Sequence, residues 1–141
     1  DILAIEIFDP EMVGQSGYDW LLLKFFADFN ISYIAVNSDA NTITHYVPEK
    51  TPKIKECIEA MRKGFPSAEI TSKPVSIVCA IGSNMNIPGM LARAAGALAH
   101  AGINVLGMDQ NIRQVNMQFI IDRKHFEGAQ IALHKELVEK K

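Results

Sequence analysis

The sequence predicts an α+β protein made of two similar βαββαβ units, and three observations lead to this prediction. The chain has 141 residues, 48% of them hydrophobic, which is enough for one ordinary domain or for two small ones that share a core. A shift of 72 positions, which brings Leu3 onto Val75, superposes the apolar, glycine and turn positions of the two halves. Each half also repeats one order of alternating strands and amphipathic helices. We place the units at residues 1–73 and 74–141.

The first half contains two predicted helices among its strands. Strands are predicted at residues 2–8, 31–37, 42–47 and 68–73. Ser16 and Asp19 form an S-x-x-D capping box, which predicts that the first helix starts at Ser16. Thr51 followed by Pro52 predicts the N-cap and first residue of the second helix, and Gly64 marks its end.

The second half repeats this pattern but stops before a fourth strand. Strands are predicted at 75–81, 103–108 and 115–122, with helices at 90–101 and from residue 126 onward. The whole pattern is that of two ferredoxin-like units packed together, each with its helices on one face of an antiparallel sheet. The chain begins at Asp1 and not at Met, so we expect the missing strand to be supplied by sequence upstream of residue 1. Small residues along 90–101 indicate a closely packed neighbour, and pairing of units and of chains would cover the bare faces.

Composition and residue spacing exclude several classes of function. A net charge of −2 without a basic patch argues against a nucleic-acid or acidic-membrane partner, and no apolar run is long enough to span a bilayer. Two cysteines, Cys57 and Cys79, form no disulfide scaffold; we expect both to be buried and inert in a reducing, cytoplasmic protein. The four histidines have no metal-ligand spacing, and no nucleophile, acid/base or phosphate-binding motif occurs. We expect no catalytic residue, metal or cofactor in this chain.

The feature with binding chemistry is the loop between first strand and first helix, which occurs once in each half. These loops end at Gly17 and Gly89, where a helix is predicted to start. The free N–H groups of a first helical turn attract a carboxylate, and glycine lets a ligand approach the backbone closely. The alternative is that the two glycines only permit the turn into the helix.

Three stretches of the second half resemble an ACT domain. They are Ala80-Ile81-Gly82, the run from Pro88 to Arg93, and the run from Leu98 to Val105. Residues 115–121 are similar to the third strand of that family, and the first half matches more loosely through its Ser16-Gly17-Tyr18 corner. The tandem order resembles the regulatory region of aspartate kinases, whose two ACT units are interwoven. The resemblance implies that an upstream strand completes the second unit and that a kinase domain, using ATP and magnesium, precedes residue 1.

The resemblance also implies a regulatory module, in which an ACT homodimer binds an end-product amino acid and controls the attached enzyme. The implied effector-binding residues of the corner loop are Met12, Gln15, Ser16, Gly17, Tyr18 and Asp19. Across an interface from that loop the resemblance implies Ser32, Tyr33, Ile34, Ser38 and Asp39, and in some members also Asn104 and Val105. The corresponding corner of the second copy comprises Asn86, Ile87, Pro88 and Gly89. Helix-start amides would hold the α-carboxylate, and oxygen atoms would hold the α-ammonium.

The sequence departs from the family pattern at three positions. Members that sense lysine or threonine commonly carry acids where this chain has Ile34 and Leu106, and threonine sensors often carry another where it has Gly14. A buried lysine ammonium beside Ile34 would lack a counter-charge, so the effector stays open. Two alternatives to an aspartate kinase regulator are a tandem ACT regulator of another amino-acid enzyme and a dimerisation module without an effector. An RNA-binding sheet is disfavoured, because the strands lack exposed aromatic pairs and basic flanks.

Overall fold

The computed structural model describes residues 1–140 and confirms the predicted α+β class. The chain divides into two units, the first spanning Asp1–Pro74 and the second beginning at Val75. The first unit contains, in chain order, β1 (Ile2–Phe8), α1 (Tyr18–Asp28), β2 (Ala35–Ser38), β3 (Thr42–Pro48), α2 (Ile54–Gly64) and the first part of β4 (Glu69–Ile81). The second contains the rest of β4, then α3 (Met90–His100), β5 (Val105–Gln110), β6 (Asn116–Asp122) and α4 (Phe126–His134), which continues as a π-helix over Lys135–Glu139.

The sheet of the first unit is antiparallel and has the ferredoxin-like strand order. Neighbouring strands follow the order β2-β3-β1-β4. β1 pairs with β3 from Ile2 opposite Pro48 to Phe8 opposite Thr42. Alternation places Ile5 and Ile7 on the inner face of β1, where α1 and α2 cover them. Their helical partners in this core are Leu22, Phe26, Cys57, Ile58 and Met61.

The second unit repeats this arrangement with three strands among its described residues. β6 lies between β4 and β5, and β4 pairs with it from Val75 opposite Asp122 to Ile81 opposite Asn116. A bulge between Val105 and Gly107 shifts the register of β5. The core of this unit joins inner strand residues to α3 and α4 through Val78, Ala94, Leu98, Met117, Phe119, Ile121, Ala129 and Leu133.

The repeat is most exact where the first helix of each unit ends. Asn30 and Gly102, which are 72 positions apart, both have left-handed backbones with φ of 55° and 72°. In both units the next residue folds back on the helix: the Ile31 N–H donates to the Phe26 carbonyl at 2.8 Å, and the Ile103 N–H to that of Leu98 at 2.9 Å. Each bond satisfies a helix-end carbonyl, so both helices stop at equivalent residues.

Both predicted side-chain caps are wrong. α1 begins at Tyr18 after Gly17, and no side chain caps it, because Ser16 lies one residue before the N-cap position. α2 begins at Ile54 after Lys53, and Thr51 instead donates its hydroxyl hydrogen bond to the Pro48 carbonyl at 2.7 Å. The first-turn N–H groups of α1 therefore have neither an intrahelical partner nor a side-chain cap.

Three further predictions need correction. The second strand, predicted at 31–37, is confined to Ala35–Ser38, and the strands predicted at 68–73 and 75–81 are one continuous strand, Glu69–Ile81. Cys57 is buried as expected, but Cys79 is exposed. Cys79 lies opposite Gln118, on the sheet face away from the helices, so alternation in β4 excludes it from the core.

Candidate functional site

The first corner, residues 9–17, connects β1 to α1 and leaves the start of α1 open. A short 3₁₀ turn at Pro10–Met12 leads to Gly14 and then to Gly17, whose backbones are left-handed with φ of 78° and 79°. A Cβ atom built on Gly17 would meet no atom within 4 Å. The corner thus combines open space with the free N–H groups and positive dipole end of an 11-residue helix. This arrangement suits the docking of a carboxylate.

Some of the predicted residues of the first corner are buried and others are exposed. Met12 and Tyr18 are buried and belong to the core of the first unit. The exposed members are Gln15, Ser16, Gly17 and Asp19. Two exposed apolar side chains that sequence reasoning missed flank them: Val13 is 59% exposed and Trp20 66% exposed. Only their placement in the structure distinguishes these side chains from core residues.

The turn between β2 and β3 lies beside the first corner. The Asp9 N–H donates to the Asn41 carbonyl at 2.9 Å, which ties this turn to the end of β1. Asp39 is exposed, and its Oδ1 accepts from the N–H groups of Asn41 and Thr42 at 3.2 Å each. The structure therefore brings the predicted residues Ser38 and Asp39 to the corner.

The other predicted residues of the first unit lie at the opposite end of β2. The Ile34 N–H donates to the Tyr46 carbonyl at 2.7 Å, near the end of β3, whereas the corner adjoins the start of β3. Ser32 and Tyr33 precede Ile34 and are exposed with it. Four extended residues separate the two groups by about 13 Å, so the first unit does not gather them into one site.

A buried polar network lies beneath the first corner, and sequence reasoning missed it. Asp9 is 2% exposed, and its carboxylate accepts from the Glu11 N–H at 3.0 Å, from the Tyr18 hydroxyl at 2.7 Å and from the Ser67 hydroxyl at 3.1 Å. Burial acts to raise the pKa of Asp9, but the hydrogen bonds from Tyr18, Glu11 and Ser67 outweigh it and lower that pKa. Burial and the Asp9 carboxylate together raise the pKa of Tyr18. The Tyr18 hydroxyl is thus committed to Asp9.

His45 is a core residue of the first unit. It is 4% exposed, and its ring lies 4.7 Å from that of Phe26 and 5.0 Å from that of Tyr33, measured between centroids. Burial lowers the pKa of His45 to about 4, with the charge of Asp19 acting in the opposite direction. The imidazole is therefore neutral at pH 7 and packs as an aromatic ring.

The second corner, residues 82–89, repeats the geometry of the first. Gly89 has φ of 88°, a Cβ atom there would meet nothing within 4 Å, and the Arg93 N–H donates to its carbonyl at 2.9 Å. The predicted residues Asn86, Ile87 and Pro88 are exposed with Gly89. The second corner thus also ends in an open helix start.

Asn104 and Val105 lie away from the second corner. They follow the C-terminal end of α3, whereas the corner precedes its N-terminal end. Asn104 stands 72 positions after Ser32, so the two units place equivalent predicted residues at equivalent ends. The neighbouring Leu106 is 43% exposed and Ile34 is 52% exposed, and both put apolar side chains where the family pattern has acids.

A groove of about 670 Å³ runs beside the second corner, within the second unit. It is bounded by the end of β4 on one side and by α4 with the following π-helix on the other, and Asn84 and Met85 of the corner close it. Its apolar walls include Ile77, Ile81, Phe126, Leu133, Leu137 and Val138. The groove is therefore a mainly apolar surface between β4 and α4.

Within residues 1–140, no three His, Cys, Asp or Glu side chains are placed to hold a metal ion together. None of the helices in this described part has the length and apolar character needed to cross a bilayer.

Comparison with known proteins identifies a domain in the second half of the chain. Residues 78–137 match the family model of the ACT domain. The chain is 37% identical over 139 residues to the aspartate kinase Ask_Ect of Stutzerimonas stutzeri, which covers 99% of this chain and 29% of that protein. It is 24% identical to the chloroplastic aspartokinase 1 of Arabidopsis thaliana, covering 99% of this chain and 26% of that one. The chain spans less than a third of the length of these curated relatives.

Solved structures of aspartate kinases share the fold. The regulatory subunit of aspartate kinase from Thermus flavus superposes with a TM-score of 0.85 at 18% identity, over 96% of this chain and 92% of that one. Aspartate kinase from Clostridium acetobutylicum gives a TM-score of 0.89 at 18% identity, over 96% of this chain and 32% of that one. At these identities the likeness establishes the fold alone.

Proposed function

Because residues 78–137 match the ACT domain family model and the chain is 37% identical over 139 residues to an aspartate kinase, we propose that it is the amino-acid-sensing regulatory region of an aspartate kinase. An end-product amino acid binds at the first corner and shifts the attached enzyme between more and less active states. The kinase domain lies upstream of residue 1, uses ATP and magnesium, and works in the cytoplasm. ACT domains of two chains assemble as a homodimer.

The observation that carries this proposal is the open helix start after Gly17, at the end of the sheet where the β2–β3 turn carries the exposed Asp39. The N–H groups of the first turn of α1 hold the α-carboxylate of the amino acid. Asp39, on the turn tied to Asp9 by the Asn41 carbonyl, offers an oxygen to its α-ammonium. The uncapped helix supports this proposal, since a side-chain cap would have filled the same position.

The exposed apolar residues favour an effector with an uncharged side chain. Val13 and Trp20, both largely exposed, flank the first corner and would contact an aliphatic side chain. We therefore rank methionine above lysine as the effector.

The groove beside the second corner supports the expectation of an interwoven second unit. The first unit has four strands in its sheet, whereas the described part of the second has three. We propose that a segment preceding residue 1 lies in this groove as the fourth strand, against Ile77 and Ile81. Hydrogen exchange tests this: the β4 amides of residues 77–81 should exchange more slowly in a longer chain than in the 141-residue chain. Equal exchange rates would refute it.

Titration calorimetry tests directly whether the chain binds an amino acid. We expect saturable heat when the chain is titrated with one of L-threonine, L-methionine, L-lysine or L-aspartate, and none with the D-enantiomer of that amino acid. Absence of heat with all four would favour the alternative of a dimerisation module without an effector. A longer chain that fails to phosphorylate aspartate with ATP would favour a tandem ACT regulator of another enzyme.

A further inference from the structure

Residues 64–67, the last residue of α2 and the three that follow it on the way to β4, pack against α1. We name them the 64–67 connection. The Phe65 ring lies 5.1 Å from the Tyr18 ring and 5.5 Å from the Phe25 ring, measured between centroids. Gly64 touches Phe25 so closely that a Cβ atom at Gly64 would stand 2.5 Å from its Cζ. The connection is therefore seated on α1 by close apolar contact.

A second contact, polar this time, joins the same connection to the first corner. The Ser67 hydroxyl lies 3.1 Å from Asp9 Oδ2 and 3.2 Å from Oδ1, although the two residues are 58 positions apart. Ser67 itself is exposed, so its contribution to the core is small. Its hydroxyl reaches a carboxylate that also accepts from the Glu11 N–H and the Tyr18 hydroxyl. Ser67 thus completes the set of donors that orients Asp9.

The Asp9 carboxylate holds the backbone of the first corner in place through its hydrogen bonds. It caps the 3₁₀ turn through Glu11 and holds the first residue of α1 through Tyr18. In the described part of the chain, no Lys, Arg or His forms an ion pair with it. Hydrogen-bond donors alone therefore keep this buried carboxylate in place. Because the bonds share one carboxylate, the loss of one donor also weakens the bonds from the other two.

We propose that the 64–67 connection senses the first corner and that Ser67 is its positioning residue. This inference rests on the proposed function, in which the corner binds an amino acid. Binding holds the start of α1 more rigidly, and the hydrogen bonds from Tyr18 and Ser67 to Asp9 extend this rigidity to Ser67. β4 begins two residues after Ser67, at Glu69. Since β4 continues to Ile81, beyond the first residue of the second unit, occupancy of the corner is transmitted along this strand.

Hydrogen exchange in the unliganded 141-residue chain tests the link itself. Ser67→Ala removes the hydroxyl, and we expect amides of residues 14–21 to exchange about threefold to tenfold faster, which matches the loss of one hydrogen bond. Ser67→Thr keeps a hydroxyl and should restore the wild-type rates. Ser83→Ala, an exposed serine of the second corner, is the matched control and should leave residues 14–21 unchanged. Unchanged exchange in Ser67→Ala would overturn the inference whatever the chain binds.

Amino-acid binding tests the sensing role. With whichever of the four L-amino acids gives heat, Ser67→Ala should weaken binding by about the same factor as it speeds exchange, and Ser67→Thr should not. Added amino acid should slow exchange at residues 67–71 in the wild type but only at the corner in Ser67→Ala. Equal protection of residues 67–71 in both would overturn the role of Ser67. If none of the four binds the wild type, the proposed function fails and the sensing role fails with it, whereas the exchange result still decides the structural link.

Discussion

The Tyr18 hydroxyl donates a 2.7 Å hydrogen bond to Asp9 Oδ2 in the interior of the first unit. This contact decides what the first corner can offer a ligand. Tyr18, at the first position of α1, has its side chain in the core, and no side chain caps the helix start. A carboxylate bound at the corner as we propose would therefore meet backbone groups, and the tyrosine side chain serves to hold the helix start in place.

Tyr18→Phe should cost about 1–3 kcal/mol of unfolding free energy at pH 7, because one oxygen of a buried carboxylate loses its donor. A carboxyl whose pKa is lowered in the folded state contributes stability above its unfolded pKa, near 3.8, and loses it as the pH falls through the folded value. The advantage of the wild type over the variant should therefore shrink below about pH 4.

Urea unfolding at pH 7 and at pH 3 measures both effects. Tyr33→Phe is the matched control, since Tyr33 is 41% exposed and no hydrogen bond joins its hydroxyl to Asp9. Equal stabilities of Tyr18→Phe and wild type at pH 7 would contradict the role given to this hydrogen bond.

Gly17→Asp should weaken amino-acid binding strongly while the first unit stays folded. The new carboxylate would stand where the effector carboxylate docks, and repulsion between the two should weaken binding at least about tenfold. Gly17→Asn has nearly the same shape and the same left-handed backbone cost of about 1–2 kcal/mol, but it carries no charge. Calorimetry should show that Gly17→Asn binds the amino acid at least about tenfold more tightly than Gly17→Asp does. Equal affinities of the two variants would move the site away from this helix start.

His45 should make the protein less stable as the pH falls from about 6.5 towards 4. Its pKa is lowered to about 4 in the folded state, so between these values the unfolded chain binds a proton that the folded chain does not. Unfolding free energy should drop by up to about 1.4 kcal/mol per pH unit in this window. His45→Gln removes the titrating group, and its stability should depend less on pH between 4.5 and 7. Parallel pH profiles of the two proteins, measured by urea unfolding, would show that His45 does not titrate as proposed.

Gly64→Ala should destabilise the first unit by about 1–3 kcal/mol, because the new Cβ atom would overlap the Phe25 ring at 2.5 Å. Gly96→Ala is the contrasting change within α3, where a Cβ atom meets nothing within 4 Å, and it should stabilise by about 0.5–1 kcal/mol. Thermal unfolding of both variants checks these signs. Combining Gly64→Ala with Phe25→Leu should recover part of the loss, and strictly additive effects would rule out the contact as its cause.

The repeat and most of the strands and helices could be predicted because they depend on local periodicity. Alternation in β1 and the apolar stripe of α1 correctly indicated which faces are buried. The helix caps could not be predicted in the same way. Ser16 has the side chain of a capping residue, but the left-handed turn at Gly17 moves the helix start past it. One backbone dihedral thus decided between a capped helix and an open one.

The sequence by itself determined that the chain forms two α+β units and that glycine precedes the first helix of each. Periodicity and glycine placement act over a few residues, so they can be read without knowing the fold. Only the tertiary structure decided that Asp9 is buried beneath the corner with Ser67, and that Ile34 lies at the other end of β2 from Asp39. These contacts join residues far apart in the chain, and they form only when strand pairing and helix packing bring those residues together.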